Sequence, residues 1–189
     1  MQTNEQVWAK IATGDQYAYT DAYRLYYKRF YNYGKKFTNN DPLLEDAIQE
    51  TLLTIWDKRT VLESLEYPGT YFYTAFRRLL FQKINQEQKR TNSNVFDAEP
   101  EFGADHILIS KEIDADLKKQ LQNAIHQLSA RQREAIFLRF YEGLSYDEVA
   151  VILGITTKAT YKVMARALAQ LKEQIALPGA VVFLLLKGG

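Results

Sequence analysis

Apolar side chains recur every three or four residues along most of this chain, which is the spacing that gives an α-helix one apolar face. No segment alternates polar and apolar residues for long enough to demand a β-strand. Only 4 Pro and 9 Gly interrupt the 189 residues, and most of them fall between the apolar stripes. The pattern therefore predicts an all-α protein. The clearest stripes are Leu44/Ile48/Leu52/Ile55, Phe72/Phe76/Leu80/Ile84, Leu117/Leu121/Ile125/Leu128 and Met164/Leu168/Leu171/Ile175.

A polar stretch over residues 91–106 divides these stripes into two groups. It contains one Pro and one Gly and shows no sustained period, which is typical of a linker. Residues 96–128 hold 3 Lys or Arg against 7 Asp or Glu, whereas the blocks on either side are mildly basic. We therefore expect two small helical domains over 1–90 and 111–175, a flexible linker over 91–110 and an apolar tail over 176–189.

Composition excludes several classes of site. The chain has no Cys, so it cannot carry a disulfide scaffold, a thiolate zinc site or a Cys nucleophile. Its first ten residues lack the apolar run of a signal peptide, and no stretch reaches the roughly 18–20 apolar residues of a membrane-spanning helix. We expect a cytoplasmic protein without metal or cofactor. The apolar run in the tail is expected to pack on the last helix, or else to meet a regulatory partner.

Residues 144–168 carry the most specific local motif. A helix-turn-helix needs a small residue where its two helices touch, and Ala150 occupies that position. Gly154, four residues later, supplies the left-handed conformation of the turn. The second helix is expected to begin near Thr156 or Thr157, because either residue is a suitable N-cap. These spacings predict that the C-terminal domain is a helix-turn-helix domain.

The second helix of this motif is basic on one side. Lys158, Lys162 and Arg166 recur at four-residue intervals, and no acidic residue interrupts them. A helix that is basic on one face and apolar on the other suits a polyanion, because each neutralised phosphate releases condensed counterions. At the helix start, Thr157, Lys158 and Tyr161 are expected to reach base edges in a major groove. A solvated basic face on an ordinary packing helix is the alternative.

Residues 45–56 place acidic, polar and apolar side chains along one side of a helix, beside its buried stripe. The helix is expected to start with Asp41 as its N-cap and Pro42 as its first residue. Exposed carboxylates next to a Leu and a Trp are typical of a protein-docking surface with apolar anchors and a charged rim. A solvated acidic face with the Trp in the core is the alternative, and catalytic or metal-binding carboxylates are a weaker one. The side chains concerned are Asp46, Gln49, Glu50, Leu53 and Trp56.

Residues 70–90 interleave basic and aromatic side chains. Basic side chains follow a phosphate backbone, whereas aromatic rings accept an unstacked base, so the combination suits partly single-stranded DNA. Burial of the rings in the core is the alternative, and the tyrosine-rich segment 21–37 is expected to serve packing. The basic residues are Arg77, Arg78, Lys83, Lys89 and Arg90, and the interleaved rings are Tyr71, Tyr73 and Phe81.

The order of these segments resembles the sigma-70 family of RNA polymerase sigma factors, in its extracytoplasmic-function group. Residues 45–56 closely resemble the family's polymerase-clamp helix. Residues 128–155 are similar to its region-four helices, and 156–171 fall at its recognition helix. Residues 70–90 lie where the family has its promoter-melting helix.

The resemblance implies a dissociable specificity subunit with no catalytic residues. Its implied partners are core RNA polymerase, bound through the docking side chains above, promoter DNA and a candidate anti-sigma protein. The first domain is expected to engage the minus-ten element and the second the minus-thirty-five element. A helix-turn-helix regulator that never docks on polymerase is the alternative function, and an enzyme is a third. The DNA contacts implied for the melting helix are Tyr71, Arg77, Arg78, Gln82, Asn85 and Lys89.

Four positions depart from the residues that are usual in that family. Arg78 and Gln82 stand where Asn and Asp are usual in the melting helix, and Tyr71 stands where a Trp is common. Thr160 occupies a position of the recognition helix that Val or Ile usually fills. These differences fall in the segments that are expected to contact promoter bases.

Overall fold

The computed structural model describes residues 4–91, 102–103 and 115–175, and all regular structure within them is helical. The all-α prediction is confirmed for this part of the chain. A 3₁₀ turn spans Arg59–Ser64, and a π-helical segment spans Phe137–Tyr141. The α-helices are Asn4–Ala12 (α1), Gln16–Gly34 (α2), Asp41–Asp57 (α3), Pro68–Thr91 (α4), Ala115–Gln127 (α5), Ala130–Ile136 (α6), Tyr146–Leu153 (α7) and Thr157–Ile175 (α8).

The chain divides into two compact units, Met1–Pro100 and Glu101–Gly189. Several expectations lie outside the described residues: the apolar tail, most of the linker over 91–110, and the side chains of Leu117 and Ile175. None of the described helices combines the length and the apolar character that a membrane crossing requires.

The core of the first unit is largely aromatic. The α4 stripe of Phe72, Phe76, Leu80 and Ile84 is buried, as its spacing predicts. Phe76 stacks on Phe30 of α2, with ring centroids 4.4 Å apart and an interplanar angle of 6°. Gly34 ends α2 where a Cβ would collide with Leu44, so this glycine permits the close approach of α2 and α3. The tyrosine-rich helix therefore packs, as expected, with Tyr26, Phe30 and Tyr33 buried.

Helix α3 begins one residue earlier than its sequence predicts. Asn40, not Asp41, is the N-cap, and its side chain accepts a hydrogen bond of 3.2 Å from the backbone N–H of Leu43. Asp41 lies in the first turn, where its carboxylate accepts from Lys35 Nζ at 2.9 Å and from the Tyr31 hydroxyl at 3.2 Å. The hydrogen bond from Lys35 is the main reason why the pKa of Asp41 is lowered from its ordinary value.

In the second unit two capping boxes fix the starts of α6 and α7. Ser129 and Gln132 close the first box, and Ser145 and Glu148 close the second; in each box the two side chains accept hydrogen bonds from each other's backbone N–H groups. The described part of the α5 stripe is buried, and the α8 stripe is buried at two positions and half-buried at the third. These residues are Leu121 and Ile125 on α5 with Leu128 directly after it, and Met164, Leu168 and Leu171 on α8.

The turn between α7 and α8 has the predicted geometry. Ala150 is buried at 3% exposure. Gly154 ends α7 in the left-handed conformation with φ 63° and ψ 37°, a conformation that glycine adopts without a steric penalty. The hydroxyl of Thr156 accepts a hydrogen bond of 3.2 Å from the N–H of Ala159, which makes Thr156 the cap of α8. The helix-turn-helix prediction is confirmed.

Phe102 departs from the linker prediction. Its side chain is 1% exposed, and its ring lies 5.6 Å from that of Phe137. Its carbonyl accepts a hydrogen bond of 2.7 Å from Nε of Arg133, whose guanidinium also donates to the carbonyls of His126 and Leu128. The middle of the expected linker is therefore anchored in the second unit, because one aromatic side chain in a polar stretch finds an apolar site there.

Candidate docking ridge and nucleic-acid interfaces

Helix α3 presents one acidic face with an apolar side chain at its centre. The helix holds five acidic residues and no Lys, Arg or His. Leu53 is 61% exposed, so its apolar surface is open to contact with another molecule. We call the set Asp46, Gln49, Glu50, Leu53 and Trp56 the docking ridge; its first four members are exposed, and Trp56 is half-buried.

Lys83 of α4 neutralises part of this ridge. Its Nζ lies 2.5 Å from a carboxylate oxygen of Asp46 and 2.7 Å from one of Glu50. These two hydrogen bonds, that of Asp46 first, raise the pKa of Lys83 above its ordinary value. Lys83 was expected among the cations that follow a phosphate backbone; instead it joins α4 to α3.

Trp56 belongs neither wholly to the core nor wholly to the surface. Its ring lies 4.6 Å from that of Tyr19, and the guanidinium of Arg59 lies 4.7 Å from its centroid. Tyr19 in turn donates a hydrogen bond of 2.7 Å to the carbonyl of Leu52, and burial raises the pKa of Tyr19 to about 12. Trp56 is therefore held in place while part of its ring stays accessible at the end of the ridge.

One face of α4 gathers most of the residues that the sequence assigns to DNA. Successive residues of an α-helix are rotated by about 100°, and this rotation places five of those residues within about 60° of one another. Arg78, Gln82 and Lys89 are exposed, whereas Tyr71 and Asn85 are half-buried, the latter with a buried Oδ1 that has no hydrogen-bond partner among the described residues. We call Tyr71, Arg78, Gln82, Asn85 and Lys89 the α4 face.

Arg77 does not share this face. It lies about 100° around the helix from Arg78, and its guanidinium packs 4.2 Å from the ring centroid of Phe81. Phe81 and Tyr73 are buried at 8% and 1% exposure, so neither ring can receive a base. The expectation that three aromatic rings of this helix accept unstacked bases is wrong for these two, because they complete the core.

A groove of about 480 Å³ runs between α3 and α4. Its walls include Glu50 of the docking ridge and Tyr71, Arg78 and Gln82 of the α4 face. Polar and aromatic groups of the two surfaces thus line one groove of the first unit.

The cations of α8 share its outer face. Lys158, Lys162 and Arg166 are all exposed, and helical geometry places them within about 80° of one another. Thr160 and Met164 face the opposite way and are buried at 0% and 1% exposure. The buried hydroxyl of Thr160 has a hydrogen-bond partner, because its Oγ1 donates to the carbonyl of Thr156 at 3.2 Å.

The two remaining residues at the start of α8 are engaged with α7. The hydroxyl of Thr157 donates a hydrogen bond of 2.7 Å to Asp147. Tyr161 is 54% exposed, and one side of its ring stacks on Tyr146 with centroids 4.1 Å apart. Sequence reasoning missed Tyr146, which no periodic pattern would have singled out.

In the part of the chain that the structure describes, no group of three or more His, Asp or Glu residues is arranged to hold a metal ion. Of the acidic residues of α3, Asp46 and Glu50 pair with Lys83, Asp41 pairs with Lys35, and Glu45 and Asp57 are exposed.

Comparison with known proteins adds an independent finding. Residues 22–90 match the family model "Sigma-70 region 2", and residues 118–171 match "Sigma-70, region 4". The chain is 29% identical over 143 residues to the ECF RNA polymerase sigma factor SigL of Mycobacterium tuberculosis, covering 73% of this chain and 79% of the relative. It is 24% identical over 165 residues to the RNA polymerase sigma factor CarQ of Myxococcus xanthus, covering 87% and 92%. Identity to the RNA polymerase sigma factor NccH of Alcaligenes xylosoxydans is 25% over 181 residues, covering 89% and 92%.

Proposed function

Because the chain belongs to the sigma-70 family of RNA polymerase sigma factors, in its extracytoplasmic-function group, we propose which of its surfaces carry the family's three contacts. As a sigma factor it directs promoter-specific initiation and is not itself a catalyst. In the proposal the docking ridge binds core polymerase, the α4 face binds the minus-ten element, and the outer face of α8 binds the minus-thirty-five element. The exposure of Leu53 inside an acidic helix carries the proposal.

The docking ridge suits a cationic protein surface. An exposed leucine surrounded by carboxylates combines an apolar anchor with a charged rim, and this combination is typical of the centre of a protein interface. The carboxylates attract a basic partner and orient it, while burial of Leu53 supplies affinity. Since Lys83 partly neutralises two of the carboxylates, the negative charge that the ridge offers to such a partner is smaller than its sequence suggests.

The α4 face suits a strand with unstacked bases. Arg78 and Lys89 supply positive charge along the helix, Gln82 supplies amide donors and acceptors, and Tyr71 supplies a half-buried ring beside the groove. Stacking of a base on an aromatic ring is worth about 1–3 kcal/mol, which offsets part of the cost of extruding the base from a duplex. Arg77 contributes positive charge from a neighbouring face.

The outer face of α8 suits duplex DNA. Three exposed cations on one side follow a phosphate backbone, and the capped helix start presents Thr157, Lys158 and Tyr161 toward base edges. Promoter DNA is thereby contacted at two elements by two separate helices.

An anti-sigma protein, a partner typical of this group, belongs to the same proposal. A protein that covers Leu53 would compete with polymerase for the ridge. Because core polymerase is a cytoplasmic enzyme in bacteria, we place the chain in the cytoplasm.

The test is promoter-dependent initiation by core polymerase with and without the purified chain, compared with two matched variants. Leu53→Glu should lower polymerase affinity at least tenfold and abolish initiation, because a charge replaces the apolar anchor. Leu25→Glu is the control, since Leu25 is 53% exposed on α2 and lies outside the ridge.

Affinity for duplex DNA should stay within twofold in both variants. If Leu53→Glu initiates as well as Leu25→Glu, the docking assignment is wrong. If neither the chain nor its variants ever support initiation but duplex binding persists, the chain is a regulator that does not dock on polymerase.

A further inference from the structure

Two tyrosines from different helices form a stacked pair at the start of α8. The rings of Tyr146 on α7 and Tyr161 on α8 have centroids 4.1 Å apart and an interplanar angle of 23°. Such pairs are worth about 0.5–1.5 kcal/mol beyond the area that they bury. The stack favours one orientation of the Tyr161 ring.

Arg139 steadies the pair from the π-helical segment. Its guanidinium lies 5.1 Å from the ring centroid of Tyr146 and donates a hydrogen bond of 2.7 Å to the carbonyl of Leu144. A π-helical turn shifts the side chains that follow it relative to a regular helix, and such turns often occur at functional sites. Arg139 thus packs on the ring of Tyr146, which in turn stacks on Tyr161.

Tyr161 is nevertheless largely exposed. In the described part of the second unit, the exposed large apolar side chains are Tyr161 at 54% and Val151 at 55%. Tyr161 is the fifth residue of α8. It lies near the N-terminal end of the helix, where a recognition helix contacts base edges. An aromatic ring that already packs against a neighbour loses less conformational freedom on binding than an unpacked one.

The neighbours of Tyr161 narrow what it can recognise. The Thr157 hydroxyl already donates to Asp147, and Lys158 and Lys162 are charged groups suited to phosphates. The apolar feature that distinguishes bases in the major groove is the C5-methyl group of thymine. Among the side chains at this helix start, Tyr161 exposes a large apolar surface that suits such a methyl group.

We propose that Tyr161, held by Tyr146, reads the methyl group of a thymine in duplex DNA. Tyr161 is then a specificity-determining residue, and Tyr146 is a positioning residue that acts through it. The inference rests on the proposed role of α8 in duplex binding and not on polymerase docking.

The experiment uses the full chain and a duplex selected with it from a randomised library at about 50 mM salt, where phosphate contacts are strong. Each thymine of the selected duplex is then replaced by uracil, which lacks only the methyl group. At one position the replacement should lower affinity about fourfold, the effect of one buried methyl-sized group. Tyr161→Ala should abolish that discrimination, whereas Tyr161→Phe should keep it because the ring remains.

Three further variants distinguish a role in base recognition from a role in packing alone. Tyr146→Ala should reduce the discrimination at the same position, and Tyr146→Phe should retain it. Lys162→Ala should lower affinity for the thymine and uracil duplexes equally, because it removes a phosphate contact. If Tyr161→Ala lowers the thermal midpoint but leaves the thymine-to-uracil ratio unchanged, the pair is only structural and the inference is overturned.

A chain that selects no duplex at all would overturn the proposed role of α8 and this inference with it. Loss of polymerase binding in the Leu53→Glu variant would leave the thymine-to-uracil ratio unaffected, so the two proposals fail separately.

Discussion

Nζ of Lys83 lies 2.5 Å from Oδ2 of Asp46, so a cation of α4 is committed to the acidic face of α3. The Lys83 side chain is 19% exposed and that of Asp46 is 65% exposed. The pair therefore lies at the boundary between the docking ridge and the helix that carries the α4 face. A lysine that the sequence groups with DNA-binding cations is in fact part of the support of the ridge.

Replacing Lys83 should affect stability more than DNA binding. Lys83→Met removes both ion pairs, and because such partly exposed pairs are each worth under about 1 kcal/mol, we expect the thermal midpoint to fall by only a few degrees. The dependence of DNA affinity on salt should stay as in the parent chain.

Lys89→Met is the matched comparison, since Lys89 lies on the α4 face. It should reduce the slope of log affinity against log salt by about 1. A flatter slope for Lys83→Met than for Lys89→Met would contradict the assignment of Lys83 to the ridge.

The hydroxyl of Tyr19 should make the first unit sensitive to high pH. Its pKa is raised to about 12 in the folded chain, chiefly by burial, against an ordinary value of about 10. Between these values the unfolded chain releases the proton and the folded chain retains it. Stability is therefore fully present below about pH 10 and falls as the pH rises toward 12.

Urea unfolding at pH 8 and pH 11 checks this expectation. Tyr19→Phe should be less stable than the parent by about 1 kcal/mol at pH 8, because the hydrogen bond to Leu52 is lost. That difference should shrink at pH 11. Tyr17 is 88% exposed, so Tyr17→Phe should have the same free energy of unfolding as the parent at both pH values. If Tyr19→Phe is less stable than the parent by the same amount at pH 8 and pH 11, the raised pKa of Tyr19 does not contribute to stability.

Substitution of Gly154 should test the backbone conformation of the turn between α7 and α8. A Cβ at this position would meet nothing within 4 Å, so the cost arises only from the positive φ of 63°. Gly154→Ala should lower the free energy of unfolding by about 1–2 kcal/mol, whereas Gly154→Asn should cost less, because Asn adopts the left-handed conformation more readily. Equal losses in thermal unfolding for the two variants would argue against this account.

The outer face of α8 should bind phosphates independently of sequence. Lys162→Ala should lower affinity for any duplex by a similar factor and reduce the salt slope by about 1. Lys119→Ala, at an exposed position on α5, should leave both quantities unchanged. Fluorescence anisotropy over a salt series distinguishes the two variants, and a parent-like slope for Lys162→Ala would remove its phosphate contact from the proposal.

The features that depend on periodicity were predictable from the sequence. The buried stripes of α3 and α4, the contact at Ala150 and the turn at Gly154 follow from residue spacing and local backbone preference. Features that depend on which helices pack against each other were not predictable from the sequence. The sequence could not indicate that Lys83 turns toward Asp46, because the two are 37 residues apart.

The other differences between the sequence predictions and the structure also have physical causes. Tyr73 and Phe81 look like neighbours of cations in the sequence, yet their helical positions turn them into the core. Asn40 and Asp41 are both good caps, and Asp41 is drawn away by Lys35. The Tyr146–Tyr161 stack joins two helices through a turn, so neither helix alone carries its signal.

Burial of Phe102 has a consequence for promoter choice. Ten residues separate Thr91, where α4 ends, from this anchor, and ten residues span at most about 36 Å however they are arranged. Without the anchor, 23 residues would separate Thr91 from the start of α5 at Ala115, and the limit would rise to about 80 Å. Once one half of the molecule is bound, a shorter tether raises the effective concentration of the other half near its own DNA site and penalises sites that are too far away. If the two units bind separate promoter elements as proposed, burial of Phe102 narrows the range of distances between those elements that the chain tolerates.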